Sequence, residues 1–104
     1  MTHQDLVITR FRNALDILYG DRIERVVLFG SQARGDARDD SDFDVAVFLK
    51  EMDNRWAEAD RIANAATEVM DETGAFVHAM PYPAGAWRER TPLMHEIRRE
   101  GRDL

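Results

Sequence analysis

Asp42 and Asp44 stand one residue apart at the head of the apolar run Val45-Ala46-Val47-Phe48-Leu49. Aspartate is depleted in strands, and alternate residues of a strand point the same way, with Cα atoms about 6.7 Å apart. Two carboxylates on one face of a strand entering a core repel each other and resist desolvation. A divalent cation reverses that sign. Mg²⁺ takes one or two protein carboxylates and fills its other positions with water and substrate phosphates, so the pair suits a metal–phosphate site. Asp36, Asp39 and Asp40 lie just upstream in a polar stretch and read as a solvated acidic loop.

A second feature lies earlier. Gly30-Ser31 follows the apolar run Val26-Val27-Leu28-Phe29 and precedes a short segment able to open a helix. Glycine lets a backbone approach a ligand closely, and a helix N-terminus offers N–H groups to an anion, with the Ser31 hydroxyl as a further donor. No Gly-Lys-Ser/Thr follows, so this is not a Walker A loop.

The elements that must position these residues alternate. Ile8, Phe11, Leu15 and Leu18 form a helical stripe within a helix from about Thr2 to Tyr19, ended by Gly20-Asp21. Val26 to Phe29 reads as a buried strand, Ser31 to Arg34 as a short helix, and Asp42 to Leu49 as a second strand covered on both faces. A long helix from Asn54 to Thr73 carries Trp56, Ala59, Ala63, Ala66 and Met70, with Gly74 as its C-cap. A third strand runs from Ala75 to Pro81 and is closed by Pro81 and Pro83. Ala84 to Arg90 reads as helical, and Thr91-Pro92 starts a last helix that carries Leu93, Met94 and Ile97 and ends at Gly101. The expectation is an α/β (α+β) domain, 1–104, with a small mixed β-sheet and helices packed against it.

Together these pieces are specific. Leu28 through Asp36, followed by Ser41-Asp42-Phe43-Asp44-Val45, resembles the signature of the DNA polymerase β-like nucleotidyltransferase superfamily, and of its minimal nucleotidyltransferase (MNT) branch in particular. The tail Pro92 to Gly101 also looks like the end of that domain. The resemblance implies that Gly30 and Ser31 hold the β- and γ-phosphates of a nucleoside triphosphate. It implies that Asp42 and Asp44 ligate Mg²⁺, and that an acceptor hydroxyl displaces pyrophosphate from the α-phosphate. Arg34, one turn beyond Ser31, either neutralises triphosphate charge or is a surface arginine at a helix end. Ser41 is a further nucleotide-binding candidate, or a turn residue, and Arg38 reads as solvated loop.

The family's third carboxylate is expected on a later strand, where this chain has His78. Neutral histidine can accept a proton or ligate a softer divalent ion. Alternatively the exchange impairs the site, or His78 is a strand residue without a catalytic role. His3 and His95 carry no assigned chemistry. Tyr82, Trp87 and Met94 read as core packing or as a partner-facing patch.

MNT domains of this size resemble the antitoxin half of toxin–antitoxin modules. The implied function is transfer of AMP from Mg-ATP to a tyrosine of a HEPN-type ribonuclease toxin, which neutralises it. The alternatives are a catalytically impaired domain that neutralises its partner by binding alone, and a small-molecule transferase of the aminoglycoside-modifying kind.

Composition limits the rest. The 104 residues hold no cysteine, which excludes disulfides and thiolate metal sites. A net charge of −6 argues against direct non-specific nucleic-acid binding, which needs excess Lys and Arg. The apolar runs are too short to span a membrane, and the first residues lack the pattern of a signal peptide. A cytoplasmic protein is expected, as a possible homo- or hetero-oligomer.

Overall fold

A computed structural model describes residues 1–38 and 40–104. The chain begins with α1 (His3–Tyr19), whose first turn is closed by a capping box between Thr2 and Asp5. A 3₁₀ turn (Gly20–Arg22) leads into β1 (Ile23–Phe29), then α2 (Ser31–Arg34) and β2 (Phe43–Leu49). After α3 (Arg55–Thr73) come β3 (Val77–Pro83), a 3₁₀ segment (Ala84–Arg88), α4 (Pro92–Glu100) and β4 (Arg102–Asp103). Gly35 and Gly74 end α2 and α3 in the left-handed conformation, and the Thr91 hydroxyl caps α4.

The strands form one mixed sheet in the order β3-β2-β1-β4. β1 is antiparallel to β2 and β4, while β2 and β3 run parallel. Alternation along each strand divides the interior in two. Val26 and Leu28 of β1, with Phe43, Val45, Val47 and Leu49 of β2, pack under α1 and α3. Val27, Ala46 and Phe48 face the other way, against Ala86, Met94 and Ile97. Both faces of β2 are thus covered, as its unbroken apolar run predicts. Tyr82, Trp87 and Met94 belong to this second cluster as packing residues.

Several expected details are corrected. On α1 the buried stripe is Val7, Phe11, Leu15 and Tyr19, while Leu18 is exposed. On α3 the buried residues are Glu58, Ile62, Ala65 and Val69, and Trp56 and Met70 are exposed. Both sets have helical spacing; a buried acid hid the one that faces inward. Glu58 is tolerated there because it pairs with Arg22, accepts from Arg61 at 2.8 Å and meets the Tyr19 hydroxyl at 3.4 Å. Burial, with the Glu58 carboxylate beside it, pushes the Tyr19 hydroxyl up to about 12.

Strand β1 begins at Ile23, three residues early, and β2 begins at Phe43, so Asp42 lies just before it. Strand β3 begins at Val77, two residues late, and Pro81 is inside it, while Pro83 ends it. Because β3 is an edge strand, proline's missing N–H on its outer side leaves no ladder bond unmade. Only Ala84–Arg88 of the segment expected to be helical coils, as a 3₁₀ turn. β4 was not expected at all. It is reached through Gly101, where a Cβ would fall 2.4 Å from Val27 Cγ1 and 2.3 Å from the Ile97 carbonyl oxygen. No helix of the described residues is long and apolar enough to cross a membrane.

Leu28 is fully buried at the centre of the sheet, whereas Ile17 is 88% exposed. Leu28→Ala should therefore cost about 2–5 kcal/mol of stability in urea unfolding, and Ile17→Ala less than about 0.5 kcal/mol.

Candidate active site

The end of β1 and the start of β2 build the site. Phe29 is the register partner of Asp44, so the Gly30 turn leaves the sheet directly beside the Asp44 side chain. Gly30 has φ 72° and ψ −156°, a conformation open essentially to glycine alone. A Cβ at position 30 would lie 2.4 Å from Asp44 Oδ2. The carboxylate therefore occupies the space that any other residue's side chain would take.

Asp42 is exposed and Asp44 half-buried. Phe43 between them enters the core under α1 and α3, which leaves both aspartates to the opposite side, that of α4. Burial raises the Asp44 carboxyl above its ordinary range; the His78 charge lowers it and the Asp42 charge raises it again. His78 is the register partner of Asp44 on β3, with Nδ1 3.7 Å from Asp44 Oδ1, and is 63% exposed. Strand pairing thus brings together Asp44, Gly30 and His78, with Asp42 one residue before β2.

Ser31 opens α2 and is partly buried. That helix has only four residues, so the positive end of a long helix dipole is not available to it. Ser41 is held as a turn residue. Its hydroxyl accepts the Arg38 backbone N–H at 2.8 Å, and its carbonyl accepts from Gln32 Nε2 at 3.1 Å. Gln4 Nε2 in turn donates to Gln32 Oε1 at 3.0 Å, which fastens the loop before Asp42 to α1. Arg34 is paired with Asp36 at 3.3 Å and Glu100 at 3.2 Å, with Glu96 at 4.0 Å. The Glu100 and Asp36 carboxylates raise its pKa further above the ordinary value.

Gln4, Gln32, Glu96 and Glu100 escaped the reading of the sequence. The tail resemblance was the available signal for the two glutamates, and no local pattern marks the glutamines. Asp36 and Asp40 are exposed, as a solvated loop requires, and Asp39 lies outside the described residues.

Among the described residues, no three His, Cys, Asp or Glu side chains are grouped to hold a metal ion. The Asp42–Asp44 pair still fits a hard cation that completes its shell with phosphate oxygens and water. Its desolvated carboxylate, raised in pKa by burial and again by its acidic neighbour, is what a bound cation would relieve.

A family model described as nucleotidyltransferase domain matches residues 8–88. Two curated proteins of Methanocaldococcus jannaschii, each named "Putative protein adenylyltransferase", align with this chain. One is 44% identical over 46 residues, covering 44% of this chain and 46% of its own. The other is 42% identical over 45 residues, covering 43% and 45%. The matched segment thus spans about half the length of these relatives. Among solved structures, one described as "putative minimal nucleotidyltransferase" superposes with TM-score 0.64 at 26% identity, over 97% of this chain and 95% of that one. A chain from a complex of tri-AMPylated Shewanella oneidensis HEPN toxin with MNT antitoxin superposes with TM-score 0.61 at 19% identity, over 96% and 70%. A toxin–antitoxin structure with AMP-PNP gives 0.61 at 20%, over 96% and 70%. At these identities the last two establish a shared fold.

A carboxyl whose native pKa is raised binds more protons folded than unfolded between its two pKa values. Stability therefore falls as pH rises through that window. With chelator present, Asp44→Asn should be more stable than the parent at pH 7, and the gap should close as the pH drops through the Asp44 titration. Urea midpoints between about pH 4 and pH 8 check this; a gap independent of pH would show that Asp44 carries no such strain.

Proposed function

Because the chain belongs to the nucleotidyltransferase domain family, we propose that it transfers AMP from Mg-ATP to a tyrosine hydroxyl of a HEPN-type toxin and so neutralises it. The observation that carries this is the Asp44 carboxylate seated against Gly30, where no other residue's Cβ fits. That contact sets a charged pair against a turn whose backbone a phosphate can approach closely. We take residues 1–104 as a single domain and, since the reaction draws on ATP, assign it to the cytoplasm.

In this scheme Gly30 and Ser31 bind the β- and γ-phosphates, and Asp42 and Asp44 hold Mg²⁺. When bound, the metal neutralises phosphate charge and stabilises the attacking and leaving oxygens. The tyrosine oxygen forms a bond to the α-phosphorus while the bond from that phosphorus to the bridging oxygen breaks, and pyrophosphate leaves. His78 takes the phenolic proton on a ring nitrogen. Arg34 and Ser41 act as supports. Arg34 ties α2 to the α4 carboxylates, from which a triphosphate can recruit it, and Ser41 fixes the loop before Asp42. The toxin–antitoxin neighbours supply the partner by analogy of fold.

A second reading has one observation in its favour. With His78 opposite Asp44, the described residues offer no third carboxylate for a metal. In that case the chain neutralises its partner by binding alone.

Intact mass of the protein encoded beside this gene, after incubation with the chain, ATP and Mg²⁺, separates the two. Transfer predicts one or more AMP additions, abolished in Asp44→Asn and slowed about 10²–10⁴-fold in His78→Ala. A stable complex with no mass gain would overturn transfer and leave binding alone.

A further inference from the structure

The sheet order places the two sides of the proposed reaction. β2 carries Asp44 and follows directly on Asp42, β1 leading to Gly30 lies on one side of it, and β3 lies on the other as the sheet edge. In phosphoryl and nucleotidyl transfer the attacking and leaving oxygens stand roughly in line. If pyrophosphate departs over Gly30-Ser31, the acceptor must approach from the β3 side.

Two side chains mark that approach. His78 is level with Asp44. Two residues earlier is Phe76, whose carbonyl accepts the Phe43 N–H at 2.9 Å, which sets it level with Asp42. Ala75 and Val77 on either side of it enter the core under α1 and α3, so the Phe76 ring turns the other way, as His78 does. The ring is 54% exposed. The apolar cluster on this face of the sheet is built on β1, β2 and α4 and does not extend to Phe76. Core packing therefore does not explain an aromatic ring at this point.

We propose that Phe76 is the acceptor platform: its ring packs against the aromatic ring that bears the attacking hydroxyl and selects tyrosine over serine or threonine. This rests on the transfer reaction proposed above. An aromatic pair in offset or edge-on geometry contributes about 0.5–1.5 kcal/mol beyond area burial, whereas an aliphatic hydroxyl has no ring to offer. The platform also brings the phenolic oxygen to the side where His78 can receive its proton.

The test uses the full chain with Mg–AMP-PNP, followed by NMR, with N-acetyl-tyrosinamide and N-acetyl-serinamide as probes. The tyrosine probe should shift the Phe76 and His78 ring signals, and the serine probe should not. Phe76→Ala should weaken the tyrosine probe by about 2–12-fold, with Mg–AMP-PNP binding unchanged, and Phe76→Trp should restore it. Equal responses to the two probes, no response at Phe76, or an undiminished response in Phe76→Ala would overturn the platform. So would weaker Mg–AMP-PNP binding in Phe76→Ala, which would assign the ring to the nucleotide. If Mg–AMP-PNP leaves the Gly30 and Ser31 amide signals unmoved, the transfer reaction itself falls and the platform with it.

Discussion

A charged carboxylate half out of water, pressed against a backbone with no side chain, is the constraint on which the rest of the molecule turns. Asp44 can stand where it does only because position 30 lacks a Cβ. Gly30 can take its φ of 72° only because it is glycine. Neither residue makes sense alone. A half-buried acid beside a second carboxylate costs desolvation and repulsion, and a strained turn costs conformational freedom. Joined, they form the place where, under the proposed function, a cation and a phosphate would relieve each other's cost.

The rest of the fold serves to hold that junction still. β1 and β2 are pinned by two apolar clusters, one on each face of the sheet. α1 reaches the far side of the loop through Gln4 and Gln32, and α4 reaches α2 through Glu100 and Arg34. Both ties are polar and partly exposed. A partly exposed amide hydrogen bond and a surface ion pair each add little stability, so their contribution is to geometry. Parallel pairing of β3 to β2 then sets His78 beside Asp44 without any further device.

Much of this was legible in the residues. The apolar runs located β1 and β2, the glycines and Thr91 marked helix ends, and the Gly30-Ser31 to Asp42-x-Asp44 spacing singled out the residues that meet at the Gly30–Asp44 junction. What escaped was whatever the third dimension decides. On α3 a buried Glu58, made tolerable by Arg22, Arg61 and Tyr19 from elsewhere in the chain or the next turn, disguised the inward face. On β3 Pro81 looked like a stop because edge status depends on the sheet order, which no local pattern carries. β4 is two residues long and exists only because Gly101 lets the chain turn tightly against Val27. Arg34's carboxylate partners on α4 lie more than sixty residues away in sequence.

The central claim is that the Gly30–Asp44 junction, with Asp42, is a magnesium–nucleotide site. Calorimetric titration of the chain with AMP-PNP, with and without Mg²⁺, tests it most directly. The account predicts binding that requires the metal, is lost in Asp44→Asn, and is weakened in Gly30→Ala, whose new Cβ must displace the carboxylate. Binding of equal strength in Asp44→Asn, or in the presence of chelator, would contradict it.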